Sequence, residues 1–354
     1  MGLQLFTPGP SIIPPAVLKA MYNQPLYHKS SEFKQLLKRI QVGLQSVFHT
    51  NEYVIPLSCS GTGAMEAAMM ALHTPGDSVL VLNNGRFSTR CCAMLTTFGI
   101  EVKNVEISPS LSFTINDINL LNDLDKLSAI WITHCETSTG ALHDIESLVK
   151  FFKNKTDALI CVDGVSTIGT QECLMDKWGI DALITCSQKG LMTPPGLGFV
   201  ALSLKARKVA ERNTTPTYYF NLVRAYDSLM NNQTVFTPAV NLLMGLDVAL
   251  QLIQNEGLGN VYKRHRQNAT LMRNEMNTLG FEIFPKSPSD SLTVIKTKKA
   301  NKIIAQLKNN HGIIVAEGQD LLHDQIIRIG HMGYYFEDTI LEFLDAFKKV
   351  VKSI

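Results

Sequence analysis

From Ser78 to about residue 203 the chain alternates short apolar runs with stretches of helical spacing. This alternation restricts the fold more than any other feature. The runs fall at residues 78–82, 101–106, 129–133, 158–162, 182–186 and 199–203, each of strand length. The intervals between them suit crossover units, which predicts an α/β fold with a mostly parallel central sheet flanked by helices. In a sheet of that kind, residues just past the carboxyl ends of the strands face the ligand crevice.

Two of those strand ends carry chemistry. The run 158–162 leads into Asp163-Gly164-Val165-Ser166, and the run 182–186 into Ser187-Gln188-Lys189-Gly190. The loop after Lys189, Leu191-Met-Thr-Pro-Pro-Gly-Leu-Gly, is too rich in breakers to continue as helix or strand. A lysine at the end of a buried strand is held rigidly and partly desolvated, which disfavours the ammonium form and makes a nucleophilic amine. Alone, Lys189 reads equally as a solvated lysine and Asp163 as a helix N-cap. Facing each other across one crevice, they suit pyridoxal phosphate. The lysine captures the aldehyde, and the carboxylate partners the pyridine nitrogen. An ion pair at about 4 Å is worth roughly 4 kcal/mol at an effective dielectric near 20. That is about three pKa units, enough to hold the ring in its protonated, electron-withdrawing form.

At 354 residues the chain exceeds the length at which one core usually keeps growing. Three parts are expected: an N-terminal arm at 1–15, a large domain at 16–256, and a smaller C-terminal α/β domain at 257–354, with Gly257-Leu258-Gly259 as the hinge. Lys+Arg 33 against Asp+Glu 31 argues against a nucleic-acid surface. No apolar stretch has the length of a membrane span, and the first residues lack the pattern of a signal peptide. The seven cysteines sit mostly in apolar runs without a Cys-x-x-Cys, and the histidines lack zinc-ligand spacing. A cytoplasmic protein with reduced thiols and no metal is the expectation.

The opening Phe6-Thr7-Pro8-Gly9-Pro10-Ser11, followed by Pro14-Pro15, is too proline-rich for a helix. It is either a surface tail or an extended arm in which Gly9 lets backbone approach a ligand closely. Helical spacing follows at 16–22 and 31–48. Ser60-Gly61-Thr62-Gly63 then opens an alanine-rich helix, whose free amides and positive dipole end favour an anion. No Gly-Lys-Ser/Thr follows as a P-loop requires, and a plain N-cap would also explain the pattern. Two further strand ends give Asn83-Asn84-Gly85-Arg86-Phe87 and the run from Thr133 through His134 and Glu136 to Gly140. Phe87 is a ring-stacking candidate or a core residue; His134 and Glu136 are acid–base candidates or structural groups. Beyond residue 260 helices are expected at 262–279, 302–309 and 335–351, and strands at 291–295 and 313–315. Arg328 sits in an apolar strand where an unpaired guanidinium would be costly. A substrate carboxylate or an internal Asp or Glu would account for it equally well.

Together these stretches resemble the class V aminotransferases of the fold-type I pyridoxal-phosphate enzymes. The nearest likeness is to the alanine–glyoxylate, serine–pyruvate and 2-aminoethylphosphonate–pyruvate group. The resemblance is carried by Thr7-Pro8-Gly9-Pro10, Ser60-Gly61-Thr62-Gly63, Thr133 to Gly140, Asp163 to Ser166, Ser187 to Gly196, Phe236-Thr237-Pro238 and Arg328-Ile329-Gly330. These span nearly the whole chain in the family's order.

The resemblance implies that Lys189 binds the cofactor aldehyde and shuttles the substrate proton, while Asp163 pairs with the ring nitrogen. Val165 would pack one ring face and Phe87 the other, where many relatives carry Trp or Tyr. It further implies that Ser60, Gly61, Thr62 and Gln188 cradle the phosphate and that Thr137 reaches the phenolic oxygen. Arg328 would clamp the substrate α-carboxylate, and Gly9 would leave room only for a small side chain. Thr237 from the neighbouring subunit would complete the phosphate cradle, making a homodimer with its active site at the subunit interface. Alanine–glyoxylate members carry a tyrosine before that threonine; the nearest position here is Thr234. The implied reaction is ping-pong transamination between alanine or serine and a small 2-oxo acid such as glyoxylate or pyruvate. 2-Aminoethylphosphonate is the alternative amino donor, kept open by His28-Lys29. A cysteine desulfurase would need a nucleophilic cysteine on a C-terminal loop, and no cysteine follows Cys186.

Overall fold

The computed structural model describes residues 3–354. Its first four strands are β1 (Gln4–Phe6), β2 (Val54–Leu57), β3 (Ser78–Asn83) and β4 (Glu101–Glu106). Next come β5 (Ala129–Thr133), the short pair β6 (Cys135–Glu136) and β7 (Ala141–Leu142), and β8 (Leu159–Asp163). The remainder are β9 (Ala182–Cys186), β10 (Gly198–Leu202), β11 (Leu292–Lys296), β12 (Ile313–Glu317) and β13 (Ile326–Gly330). The large sheet has the order β2-β10-β9-β8-β5-β3-β4. Strands β4, β3, β5, β8 and β9 run parallel, as the alternating pattern predicts, whereas β10 is antiparallel to both β9 and β2.

Every residue of β5, β8 and β9 is buried, because helices cover both faces of the sheet. The strand period of two divides the side chains between two cores. Leu80, Leu82, Ile130 and Ile132 pack with helix Ser31–Phe48. Val79, Val81, Trp131 and Cys161 pack against helix Gly61–Leu72. Helix Ser31–Phe48 starts where the Ser30 hydroxyl accepts from the Phe33 amide at 3.2 Å and ends at His49 in the left-handed region. Its buried Phe33, Leu36, Leu37, Ile40 and Leu44 contribute about 1.5–3 kcal/mol each.

Besides the two-residue β6 and β7, two strands were not legible in the local pattern. Strand β2 is four residues long and contains Pro56, which a position at the sheet edge tolerates. Strand β1 leaves its neighbours in sequence and pairs in parallel with β12, in a second sheet of order β1-β12-β13-β11. Phe6 is fully buried there, its ring 5.2 Å from Tyr335 and 4.4 Å from Phe343. The extended arm is therefore anchored in the C-terminal sheet; Met1 and Gly2 lie outside the described residues. At the expected hinge, Gly257 alone breaks the chain. Its φ of 82° separates helix Val240–Glu256 from helix Leu258–Thr278, so Gly259 is already helical. No helix among the described residues is long and apolar enough to cross a membrane.

Candidate active site

Asp163 closes β8, in register with Thr133 at the end of β5. The neighbouring strand β9 ends at Cys186, and the turn after it delivers Lys189. That turn is pinned by Ser187, whose hydroxyl donates to the Pro194 carbonyl at 2.6 Å and accepts from the Leu197 amide at 3.2 Å. Lys189 is 9% exposed. Its Nζ donates to the Pro8 carbonyl and, at 3.5 Å, to Ser166 Oγ. Burial pushes its pKa below the ordinary lysine value, with Cys186, Cys135 and Asp163 opposing. Burial raises the pKa of Asp163, and the Val165 amide, donating to Oδ1 at 2.9 Å, opposes that rise. A desolvated amine and a desolvated carboxylate thus stand in one pocket.

The N-terminal arm closes over the lysine. The Ser11 hydroxyl donates to the Lys189 carbonyl at 2.9 Å, and the Ser11 amide to the Gln188 carbonyl at 3.0 Å. At Gly9, φ is 120° and an added Cβ would stand 2.6 Å from Lys189 Cε, so a side chain there would be strained and would displace the lysine.

One cavity brings nine of the expected site residues together: Ser60, Gly61, Thr62, Phe87, Thr137, Asp163, Val165, Gln188 and Lys189. At one end lies the start of helix Gly61–Leu72, capped by Ser60, whose hydroxyl accepts from the Gly63 amide at 3.4 Å. Its unpaired first amides and dipole present positive potential to the cavity. Gln188 Oε1 is buried without a hydrogen-bond partner among the described residues. Thr137 Oγ1 lies 2.5 Å from Ser166 Oγ, the hydroxyl that also accepts from Lys189.

Neither acid–base candidate lines the Lys189 cavity. The Glu136 carboxylate is fully buried and accepts from the amides of Phe87, Ser88 and Ser138 and from both serine hydroxyls. It therefore fixes the start of the helix Arg86–Thr97 that carries Phe87. His134 is buried, its pKa pushed down to about 3, and it lines a different cavity. A residue that sequence reasoning missed is Arg90, which lines the Lys189 cavity with its guanidinium 4.8 Å from the centre of the Phe87 ring. The signal was available: three residues along a helix return to the same face.

Arg328 lies in β13, 8% exposed, and burial lowers its pKa to about 10. Its Nε donates to the Glu317 carbonyl at 2.8 Å, and a terminal nitrogen to the Thr137 carbonyl at 3.3 Å. It forms no ion pair with a carboxylate among the described residues, so the internal Asp or Glu alternative has no partner. Thr237 does not join the cavity of its own chain. It is exposed and lines a separate depression with Pro56, Ser58, Tyr219 and Phe236. Thr234 donates its hydroxyl to the Phe236 carbonyl at 2.8 Å.

A family model described as aminotransferase class-V matches residues 3–335. Among curated relatives, the chain is 35% identical over 359 residues to a protein of Anabaena cylindrica named soluble hydrogenase 42 kDa subunit, covering 99% of this chain and 94% of that one. It is 34% identical over 355 residues to the serine–glyoxylate aminotransferase of Methylorubrum extorquens, covering 95% and 88%. Among solved structures, the alanine–glyoxylate aminotransferase of Nostoc sp. superposes with a TM-score of 0.94 at 28% identity, covering 99% of this chain and 96% of that one. The buried amine and carboxylate at adjacent strand ends, the fold and the match across nearly the whole sequence agree: the chain belongs to the class V aminotransferases, pyridoxal-phosphate-dependent transaminases of fold type I.

Proposed function

We propose that this enzyme moves an amino group between alanine or serine and a small 2-oxo acid, glyoxylate or pyruvate, by a ping-pong route on pyridoxal phosphate. The carrying observation is the single cavity in which Lys189, Asp163 and the start of helix Gly61–Leu72 meet. That arrangement favours transamination over the hydrogenase name of the cyanobacterial relative.

The residues present fit the cofactor. The positive helix start suits a phosphate, and a desolvated amine faces the same space. Ser60, Gly61, Thr62 and Gln188 would hold the phosphate, Asp163 the ring nitrogen and Thr137 the phenolic oxygen. Phe87 and Val165 would cover the two ring faces, with Arg90 behind the Phe87 ring. Bound there, the cofactor supplies a carbonyl that takes up the amino group and a ring that accepts the electron pair released at the substrate Cα. Lys189 supplies the base: its lowered pKa leaves a larger fraction of free amine to move the α-proton. Arg328 holds the substrate carboxylate, and Gly9 limits the side chain to a small group. The second subunit of a homodimer would bring Thr237 to the phosphate. Its exposure and its absence from the lining of its own chain's cavity support that role.

The substrate assignment is tested by mixing purified enzyme with single amino acids or 2-aminoethylphosphonate and following the cofactor spectrum through one half-reaction. Alanine or serine is expected to convert the spectrum fastest. A faster response to the phosphonate would replace the assignment. Arg328→Ala is expected to raise the KM for carboxylate substrates by about tenfold to 100-fold, with a smaller effect on kcat. An unchanged KM in steady-state assays would make the arginine a structural residue.

A further inference from the structure

Arg90 lines the Lys189 cavity yet forms no ion pair among the described residues. On the same helix, Arg86–Thr97, the Arg86 guanidinium is held by Asp320 at 2.6 Å. A half-buried guanidinium without a carboxylate has given up part of its hydration, so its placement needs another source of stabilisation. Two groups supply it. The first is the Phe87 ring, whose centre lies 4.8 Å from the guanidinium carbon. Residues three apart return to one helix face, so the cation lies over the ring and attracts it. The main chain beneath is fixed as well, because the Phe87 and Ser88 amides donate to Glu136 at 3.1 and 3.0 Å. Phe87 is thus held through its backbone by Glu136 and through its ring by Arg90.

The second group is the Asp163 carboxylate, in the same cavity. Burial raises its pKa; the Val165 amide opposes that rise, and so does the Arg90 guanidinium, ahead of Lys189. Glu136, on β6, acts in the opposite direction. The thiols of Cys91, Cys135 and Cys186 also face Asp163, and burial pushes each above the ordinary thiol value, so they stay neutral. Two cations therefore balance Asp163, and they differ in kind. A desolvated lysine gives up its charge when it acts as a free amine, whereas a guanidinium stays protonated.

We propose that Arg90 is a positioning residue of this site: its guanidinium clamps the Phe87 ring at the cavity wall and is the permanent positive charge that Asp163 faces before the cofactor loads. The inference rests on the cofactor placement given above and extends it to a residue that acts through two others. A phosphate-bearing cofactor then enters a cavity made positive by Arg90 and by the start of helix Gly61–Leu72, with its stacking wall already in place.

The test compares Arg90→Met, which keeps the side-chain bulk and removes the charge, with Arg90→Lys, which keeps the charge. Equilibrium dialysis of pyridoxal phosphate against the cofactor-stripped full chain is expected to show about tenfold weaker binding in Arg90→Met, and binding within about threefold of wild type in Arg90→Lys. Thermal unfolding of the cofactor-free chain across pH is the second readout. The folded pKa of Asp163 lies above its unfolded value, so its contribution to stability is present at low pH and is lost as pH rises through the folded value. Removing the Arg90 charge raises that folded value further and carries the loss to higher pH. The effect is expected to be absent in Arg90→Lys and to vanish in the Asp163→Ala background. Wild-type cofactor affinity in Arg90→Met, equally weak binding in Arg90→Lys, or a pH shift that persists without Asp163 would each overturn the role. Both readouts precede any amino substrate, so a wrong donor assignment leaves them unchanged. A failure of the cofactor placement itself shows separately, as a pyridoxyl label on a lysine other than Lys189 after borohydride reduction.

Discussion

Lys189→Ala is expected to abolish transamination, with a rate loss on the order of 10⁴-fold or more. The lysine is the one amine held by the β9 turn, desolvated by the sheet and touched by the arm through Pro8. No other group in the cavity can replace it. The Asp163 carboxyl is engaged by the Val165 amide, and the cavity cysteines Cys135 and Cys186 are pushed up to about 12 by burial. The fold should survive, because the turn is pinned by Ser187 and the Lys189 main chain rather than by its ammonium. Circular dichroism and a steady-state assay separate the two effects. A rate within tenfold of wild type would contradict the assignment.

Asp163→Ala is expected to have the next largest effect. A carboxylate about 4 Å from a ring nitrogen supplies roughly 4 kcal/mol at an effective dielectric near 20, which corresponds to about 10³-fold in rate. In the cofactor-free chain burial raises the pKa of this carboxylate, against the opposing pull of the Val165 amide, Arg90 and Lys189. A group whose folded pKa lies above its unfolded value contributes stability at low pH and loses it as pH rises through the folded value. The cofactor-free wild type should therefore lose stability with rising pH in a window starting just above the ordinary aspartate range. Asp163→Ala should remove that slope while keeping the fold. Thermal unfolding across pH and initial rates check the two halves; a near-wild-type rate in the variant is incompatible with a role for Asp163 at the ring.

The central strands and the strand ends that carry Asp163 and Lys189 were legible because β5, β8 and β9 are buried on both faces. They read as apolar runs that stop at Thr133, Asp163 and the turn to Lys189. What escaped was long-range or hidden by polarity. The pairing of β1 with β12 joins residues about three hundred positions apart, and no local period encodes it. Glu136 stayed open between acid–base and structural roles, since a carboxylate satisfied by backbone amides has the same sequence signature as one meant for a proton. Arg90 stayed hidden because an arginine on an amphipathic helix is ordinarily a solvated residue. Arg328 was visible as an anomaly, and the structure reduced its two explanations by supplying carbonyl partners and no carboxylate.

The most direct measurement is to reduce the purified, cofactor-loaded protein with borohydride and map the modified peptide by mass spectrometry. The pyridoxyl group is expected on Lys189, together with loss of the absorbance band at the violet edge of the visible range. Label on any other lysine, or no label at all, would contradict the placement of the reaction in this cavity.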